Sequence, residues 1–250
     1  MFKEIRNLVA FLTILPVGVD QDCLTDAAEY MPLFPLIGAF IGSLVGVFAW
    51  LLFQILPDLV VGMLTLALLL LITGLHHTDG LLDFGDGIMY QGPPEKKIEV
   101  MHDQRTGTGG LVLGIVILLT TAFSIVGLKR NVVIQSLIAS EVSAKLAMVA
   151  GAWVGKSAHE GMNTLFVNDM HDKYRRLRLV VALAISFGIV LPLFGVAGFI
   201  TVATGLMVSL IMVGVSGRHF GGVTGDVMGA TNELARMSSL IVILAASRWV

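Results

Sequence analysis

Residues 59–89 read LVVGMLTLALLLLITGL followed directly by HHTDGLLDFGDGIM, so a membrane-length apolar segment ends in a cluster of aspartates and glycines. Asp79, Asp83 and Asp86 are spaced i, i+4 and i+7, which in a helix puts all three carboxylates on one face. Such carboxylates repel one another, and a divalent cation relieves that repulsion. Oxygen ligands at this density suit Mg²⁺, which one or two carboxylates and substrate phosphates typically hold. The alternative is a solvated helix end whose acids the helix dipole favours.

The composition of the chain is that of an integral membrane protein. Of its 250 residues, 56% are hydrophobic and 14% are charged, whereas a soluble domain carries about 25% charged residues. The net charge of −2 carries no signature of nucleic-acid binding. The single cysteine, Cys23, excludes an internal disulfide and a cysteine-rich metal site. We expect one all-α polytopic domain over residues 1–250.

Hydrophobic segments predict six or seven transmembrane helices. They lie at 33–56, 59–75, 111–128, 132–153, 179–195, 198–215 and 237–250. Pro57 with Asp58, and Gly195 near Gly198, mark tight turns between antiparallel neighbours. Residues 1–15 alternate polar and apolar positions, which predicts an amphipathic helix that lies in the membrane interface and ends at Pro16.

Basic residues assign an orientation to this bundle. Alternating the spans places residues 1–32, 76–110, 154–178 and 216–236 on one side. That side carries twelve basic residues: Lys3, Arg6, Lys96, Lys97, Arg105, Lys156, Lys173, Arg175, Arg176, Arg178, Arg218 and Arg236. The other side carries only Lys129, Arg130 and Arg248. The bias predicts a multi-pass protein of the cell membrane with its polar loops, and hence its active site, on the cytoplasmic face.

A second polar cluster occupies residues 93–110. Pro93 and Pro94 are placed to start a short helix that runs through His102. Asp103 and Arg105 then precede a glycine-rich entry into the next span. Glycines let backbone N–H groups approach a phosphate, and a guanidinium binds phosphate bidentately. A plain helix connection is the alternative.

A third cluster, residues 221–233, precedes the final predicted span. Asp226 and Glu233 are spaced i, i+7 and Asn232 is adjacent, so they could share a helix face. Gly225 and Gly229 form a small-xxx-small pattern that favours close helix packing, but packing does not explain the acids beside them.

Other ionisable residues receive weaker interpretations. Glu141 and Lys145 form an i, i+4 pair within a span, which is either functional or a self-neutralising structural pair. Among the histidines, only His77 is singled out, by its place beside the aspartates. The others have no metal-ligand spacing and are interpreted as ordinary polar residues: His76, His102, His159, His171 and His219.

Together these segments resemble the cobalamin synthase family, the adenosylcobinamide-GDP ribazoletransferases. The family pattern H-x-D-G-x-x-D-x-x-D-G is similar to residues 77–87, and M-x-D-x-R-x-G to residues 101–107. The pattern G-G-x-T-G-D-x-x-G-A-x-N-E is similar to residues 221–233. The amphipathic start and residues 35–38 also look like that family, so the resemblance runs from the N-terminus to about residue 235.

The resemblance implies an Mg²⁺-dependent transferase that joins α-ribazole, or its 5′-phosphate, to adenosylcobinamide-GDP with release of GMP. The ribose 3′-hydroxyl would be the nucleophile, and His77 or an aspartate would take its proton. The implied metal ligands are Asp79, Asp83, Asp86 and Asp103. The implied substrate-binding residues are Asp103, Arg105, Gly107, Thr224, Asp226, Asn232 and Glu233. The implied partners are these two substrates and the lipid bilayer, without nucleic acid; homo-oligomer formation is left open.

Two other functions compete with this one. CDP-alcohol phosphotransferases are membrane enzymes with a similar D-G-x-x-A-R motif, but here Asp83 and Phe84 stand at the Ala-Arg positions. A cation transporter would require carboxylates at mid-span, where the sequence offers only Glu141.

Overall fold

The computed structural model describes residues 2–247, and these residues form α-helices and no β-sheet, which confirms the all-α prediction. The helices are α1 Phe2–Leu12, α2 Cys23–Glu29, α3 Phe34–Leu52, α4 Asp58–Ile72, α5 His76–Met89, α6 Pro94–Met101, α7 Thr108–Val126, α8 Val133–Val154, α9 Met162–Met170, α10 Arg175–His219 and α11 Gly225–Ala246. Short 3-10 turns at Met31–Leu33 and Arg130–Val132 precede α3 and α8. Helix α8 is central, with α3, α10 and α11 packed around it.

Helix α10 is a hairpin of two membrane-length arms. Its 45 residues would extend about 68 Å if straight, roughly twice the thickness of a bilayer core. Gly195 instead has φ 52° and ψ −123°, and the rings of Phe187 and Phe199 stack at 5.6 Å, a separation that a straight helix does not allow over twelve residues. Among residues 2–247, five helices are long and apolar enough to cross a membrane, or six if α4–α5 is one broken segment. Counting α10 as two arms gives seven segments, the upper end of the six or seven predicted.

A glycine stripe on α3 sets the distance between α3 and α8. A Cβ on Gly38 would lie 2.6 Å from the carbonyl oxygen of Glu141, and one on Gly42 would lie 2.5 Å from that of Leu137. At Gly46, a Cβ would lie 2.8 Å from the Cα of Ile134. Glycines at i, i+4 and i+8 therefore let the two backbones touch. In lipid the hydrophobic effect does not drive helices together, so the van der Waals contact between these backbones stabilises the pair instead.

The chain bends by 95° between α4 and α5. Gly74 and Leu75 both adopt left-handed backbone conformations, with φ 65° and 63°. Such a conformation costs a non-glycine residue of order 1 kcal/mol or more, so the strain at Leu75 marks a bend that the surrounding structure enforces. The bend turns the first residues of α5 away from the apolar segment.

The final span begins twelve residues earlier than the sequence predicted. Helix α11 starts at Gly225 instead of 237, so the predicted loop 216–236 is wrong for most of its length. The three charges in 225–236 argued against a span, but Glu233 and Arg236 are fully buried and paired. Arg236 is therefore no longer counted among the basic residues of the side predicted to be cytoplasmic. Among the described residues, that side has eleven basic residues and the opposite side has two. Arg248 and the end of the predicted span 237–250 lie outside residues 2–247.

The predicted N-terminal helix is present as α1, with Leu8 and Leu12 buried, but it ends at Leu12 and not at Pro16. Its predicted polar face is not wholly solvated, because Asn7 is buried and donates a hydrogen bond to Asp26 on α2 over 2.7 Å. Helix α1 therefore packs on α2 as well as on the start of the bundle.

The α10 hairpin predicts a specific sensitivity to substitution. Gly195→Ala should lower the free energy of unfolding by about 1–3 kcal/mol, because its backbone conformation is strained for any residue with a Cβ. Thermal unfolding in detergent measures the effect. Gly214→Ala is the matched control, since Gly214 has helical φ and nothing within 4 Å of an added Cβ. Equal stability of the two variants would contradict the hairpin.

Candidate active site

A cavity of about 590 Å³ opens where the loops assigned to one side converge. Its polar wall consists of His76, His77, Asp79, His102, His159, Asn163, Thr224 and Asp226. Its apolar wall includes Phe11, Leu12, Met31, Phe34, Met148, Phe166 and Met228. Segments from all four predicted same-side regions, which are distant in sequence, thus contribute to one concave site of the size that encloses a small ligand.

The three aspartates lie on α5 as predicted. Asp79 lines the cavity near the start of the helix, and Asp83 follows one turn later. The carboxylates of Asp79, Asp226 and Asp86 all act electrostatically on Asp83. The acids of the first cluster and Asp226 of the third cluster therefore form one region of negative charge.

Two glycines allow α5 and α11 to cross closely enough for this. A Cβ on Gly80 would lie 2.9 Å from both the Cα and the carbonyl oxygen of Asp226, and one on Gly229 would lie 3.0 Å from the carbonyl oxygen of His77. Because the two backbones touch here, Asp79, which precedes Gly80 on α5, and Asp226 on α11 line the same cavity. The predicted packing role of Gly229 is confirmed, but that of Gly225 is wrong, since Gly225 borders the open cavity with nothing within 4 Å.

Asp86 has a partner that the sequence did not suggest. Its Oδ2 accepts a hydrogen bond from the Gly107 N–H at 2.6 Å, and its Oδ1 accepts one from the Gly110 N–H at 2.8 Å. These are donors of the first turn of α7, where a carboxylate is favoured by the helix dipole. The N–H groups expected to bind phosphate are thus directed at Asp86. Because a Cβ on Gly107 would lie 2.5 Å from Asp86 Oδ1, this contact also requires the glycine.

Asp103 and Arg105 lie outside the cavity. The side chain of Arg105 is 89% exposed and pairs with Asp103, with Nε and Nη2 each 3.4 Å from a carboxylate oxygen. The backbone N–H and the guanidinium of Arg105 lower the pKa of the Asp103 carboxyl. Neither of these two predicted site residues lines the cavity, and they pair with each other instead.

The start of α11 contributes Thr224 and Asp226 to the cavity. Thr224 is the N-cap, because its Oγ1 accepts a hydrogen bond from the Val227 N–H at 3.2 Å. Its hydroxyl also lies 3.4 Å from Asp226 Oδ2. Both residues therefore line the cavity as predicted, on the first turn of a helix whose N-terminus favours negative charge.

Asn232 and Glu233 do not reach the cavity and instead belong to a buried ion network between α8 and α11. Arg236 donates to Glu233 over 2.5 Å and forms a salt bridge with Glu141. Lys145 donates to Asn232 over 2.7 Å and lies 3.7 Å from Glu141. All five side chains are fully buried and their formal charges cancel. Because a buried charge needs a partner, the structural interpretation of the Glu141–Lys145 pair is the correct one.

Three of the four histidines at the cavity were missed by sequence reasoning. His77 was singled out, and it lines the cavity with its Nδ1 lacking a hydrogen-bond partner among the described residues. His76, His102 and His159 were interpreted as ordinary but also line the cavity. His102 acts electrostatically on Asp226, and its ring meets that of His159 edge-on at 5.6 Å. Their spacing in sequence carries no signal, because three separate segments bring them together.

Comparisons with known proteins agree on one family. A family model described as cobalamin-5-phosphate synthase matches residues 4–244. A relative from Methanocella arvoryzae named adenosylcobinamide-GDP ribazoletransferase is 37% identical over 265 residues, covering 100% of this chain and 98% of the relative. Two proteins with the same name are each 31% identical to this chain. The match to the one from Methanococcoides burtonii covers 97% of this chain and 92% of the relative. The match to the one from Thermococcus kodakarensis covers 95% of this chain and 96% of the relative. No solved structure matches the chain significantly.

The buried ion network predicts a large stability effect. Arg236→Met should lower the free energy of unfolding by about 3–5 kcal/mol, because Glu141 and Glu233 would be left buried with too little positive charge. Chemical unfolding in mixed micelles measures the loss. Arg218→Met is the matched control, since Arg218 is exposed in the last turn of α10. A network that contributes nothing would leave the two variants equally stable.

Proposed function

The chain belongs to the cobalamin-5-phosphate synthase family, and on this basis we propose that it joins α-ribazole, or α-ribazole 5′-phosphate, to adenosylcobinamide-GDP with release of GMP. The observation that carries the proposal is the meeting of Asp79 and Asp226 at one cavity, through the glycine crossing of α5 and α11. Phosphoryl transfer from a diphosphate depends mainly on positioning and on charge stabilisation. A cavity with converging acids, histidines and a helix N-terminus provides the groups for both.

The donor set fits Mg²⁺ as the missing counter-charge. Asp79 and Asp83 have no salt bridge within residues 2–247, and the charges that act on Asp83 are all negative. No three His, Cys, Asp or Glu side chains of the described part already stand in a metal-ligating arrangement. Mg²⁺ does not require three, because it is commonly bound by one or two carboxylates together with substrate phosphates. We assign Asp79 and Asp226, which both line the cavity, to hold it together with substrate phosphates, with Asp83 adding negative charge beside them. Bound there, it would neutralise charge on the diphosphate.

The reaction exchanges one phosphate–oxygen bond for another. The ribose 3′-oxygen forms a bond to the phosphorus linked to cobinamide, and the bond from that phosphorus to the oxygen retained by GMP breaks. The hydroxyl proton must pass to a base. We assign this role to His77, whose Nδ1 has no partner among the described residues and which lines the cavity. His102 lines the same cavity and acts electrostatically on Asp226.

The long apolar helices make this a multi-pass membrane protein, and we propose that the cavity faces the cytoplasm. Basic residues remain concentrated on the cavity's rim, at eleven against two among the described residues. The positive-inside rule then orients that rim. The donor carries a charged diphosphate, so a site open to the cytoplasm allows it to bind without crossing the bilayer.

The first test of this function uses the carboxylates that meet at the cavity. Asp79→Asn and Asp226→Asn should each lower the rate of GMP release by about a hundredfold or more, because charge stabilisation in the transition state is lost. The double variant should be little worse than either single variant, as expected of groups that act as one unit. Asp58→Asn, at the opposite rim and paired with Arg130, is the matched control. Multiplicative losses would mean that Asp79 and Asp226 act separately, and near-normal turnover in both would refute the site.

A second test addresses orientation. Single cysteines at Gln91, Asp172 and Arg218, in a Cys23→Ser background, should react with an impermeant thiol reagent only from the cytoplasmic side, because all three lie in segments assigned to that side. A cysteine at Lys129, on the opposite rim, provides the positive control for labelling of intact cells. Labelling at Gln91 from outside would overturn the orientation.

A further inference from the structure

Helix α9 has no part in the motifs that identify the family, yet it presents three residues to the cavity. Met162, Asn163 and Phe166 line it, and Asn163 and Phe166 are both more than nine-tenths buried. Asn168, on the same helix, is exposed. The inward face of α9 is therefore a built part of the site.

Phe166 belongs to an aromatic cluster at the apolar wall. Its ring centroid lies 5.3 Å from that of Phe11 and 6.2 Å from that of Phe34, and Phe11 and Phe34 are 6.2 Å apart. The three rings come from α1, α3 and α9, and all line the cavity. An aromatic wall of this kind favours a flat ring system, which it contacts by offset stacking or edge to face.

Asn163 connects this wall to the acidic end. Its Nδ2 donates to the carbonyl oxygen of Val223 over 2.8 Å, immediately before the Thr224 cap of α11. Its Oδ1 is buried and has no hydrogen-bond partner among the described residues. A buried acceptor left without a donor is costly, so its place on a cavity wall indicates a ligand that donates to it.

The cavity volume indicates which of the two substrates the cavity can enclose. Cavities of roughly 300–1,000 Å³ enclose one drug-sized ligand, and this one measures about 590 Å³. A ribonucleoside with a two-ring base belongs to that size class. A corrinoid that carries two further nucleosides is far larger, so most of it must stay outside the cavity.

We propose that the cavity is the binding site of the nucleoside acceptor, with its aromatic base against Phe11 and Phe166, behind which Phe34 is fully buried, and a ribose hydroxyl donating to Asn163 Oδ1. This inference rests on the proposed function, since it identifies which of the two substrates that site encloses. It directs the ribose toward Asp79 and Asp226, and it leaves the cobinamide part of the donor at the cavity mouth. Phe166 and Asn163 then determine acceptor specificity.

The test separates acceptor binding from donor binding. In lipid nanodiscs with Mg²⁺, Phe166→Leu and Asn163→Ala should each raise the KM for α-ribazole about tenfold, the scale of losing a stacking contact or a hydrogen bond to the ligand. The KM for adenosylcobinamide-GDP should stay within about twofold. Phe123→Ala on the lipid face of α7 and Asn168→Ala on α9 are controls expected to leave both constants unchanged.

Two further measurements keep the inference falsifiable. Calorimetric titration with α-ribazole alone measures acceptor binding without turnover, and it should show the same tenfold weakening in both variants. A ribonucleoside with a single-ring imidazole base should bind the wild type about tenfold more weakly than α-ribazole, and Phe166→Leu should remove most of that preference. A rise in the KM for the donor alone, or unchanged acceptor binding, would overturn the inference. Acceptor binding without GMP release in the wild type would instead refute the proposed function.

Discussion

The buried guanidinium of Arg236 lies between the carboxylates of Glu141 and Glu233, and the position of α11 on α8 depends on this arrangement. Removing these charges from water costs several kcal/mol per ion, and that cost is offset only when every partner is in place. Lys145 and Asn232 complete the set, so a shift of either helix would separate a buried charge from its partner. Because Asp226 lies on the first turn of α11, the same network fixes where its carboxylate stands.

Close backbone contact then carries this position to α5. Gly80 and Gly229 allow the two helices to cross with backbone atoms touching, and the left-handed residues Gly74 and Leu75 direct the start of α5 toward the crossing. Asp86 holds the other end of α5 by accepting two N–H groups from the start of α7. The acidic face is thus clamped between α7 and α11, which gives its carboxylates the fixed positions that charge stabilisation requires.

The polar and apolar walls of the cavity come from different kinds of sequence segment. Residues of the family motifs supply the acids, His77 and the helix N-terminus at the polar wall. The aromatic part of the apolar wall comes from α1, α3 and α9, whose sequences carry no chemical motif. The proposed reaction chemistry and the proposed acceptor recognition therefore lie on different elements of one cavity, and the hydrogen bond from Asn163 to Val223 joins the two.

The sequence by itself determined the number of membrane segments, the helical face that carries Asp79, Asp83 and Asp86, and the rim at which the polar loops gather. Those features follow from local periodicity and from the cost of exposing polar groups to lipid, both of which a linear pattern records. Only the tertiary structure decided that Glu233 and Asn232 are buried partners, that Asp86 caps α7, and that His102 and His159 reach the cavity. The physical reason is that a polar residue's role depends on whether a distant segment supplies its partner, and no spacing along the chain encodes that meeting.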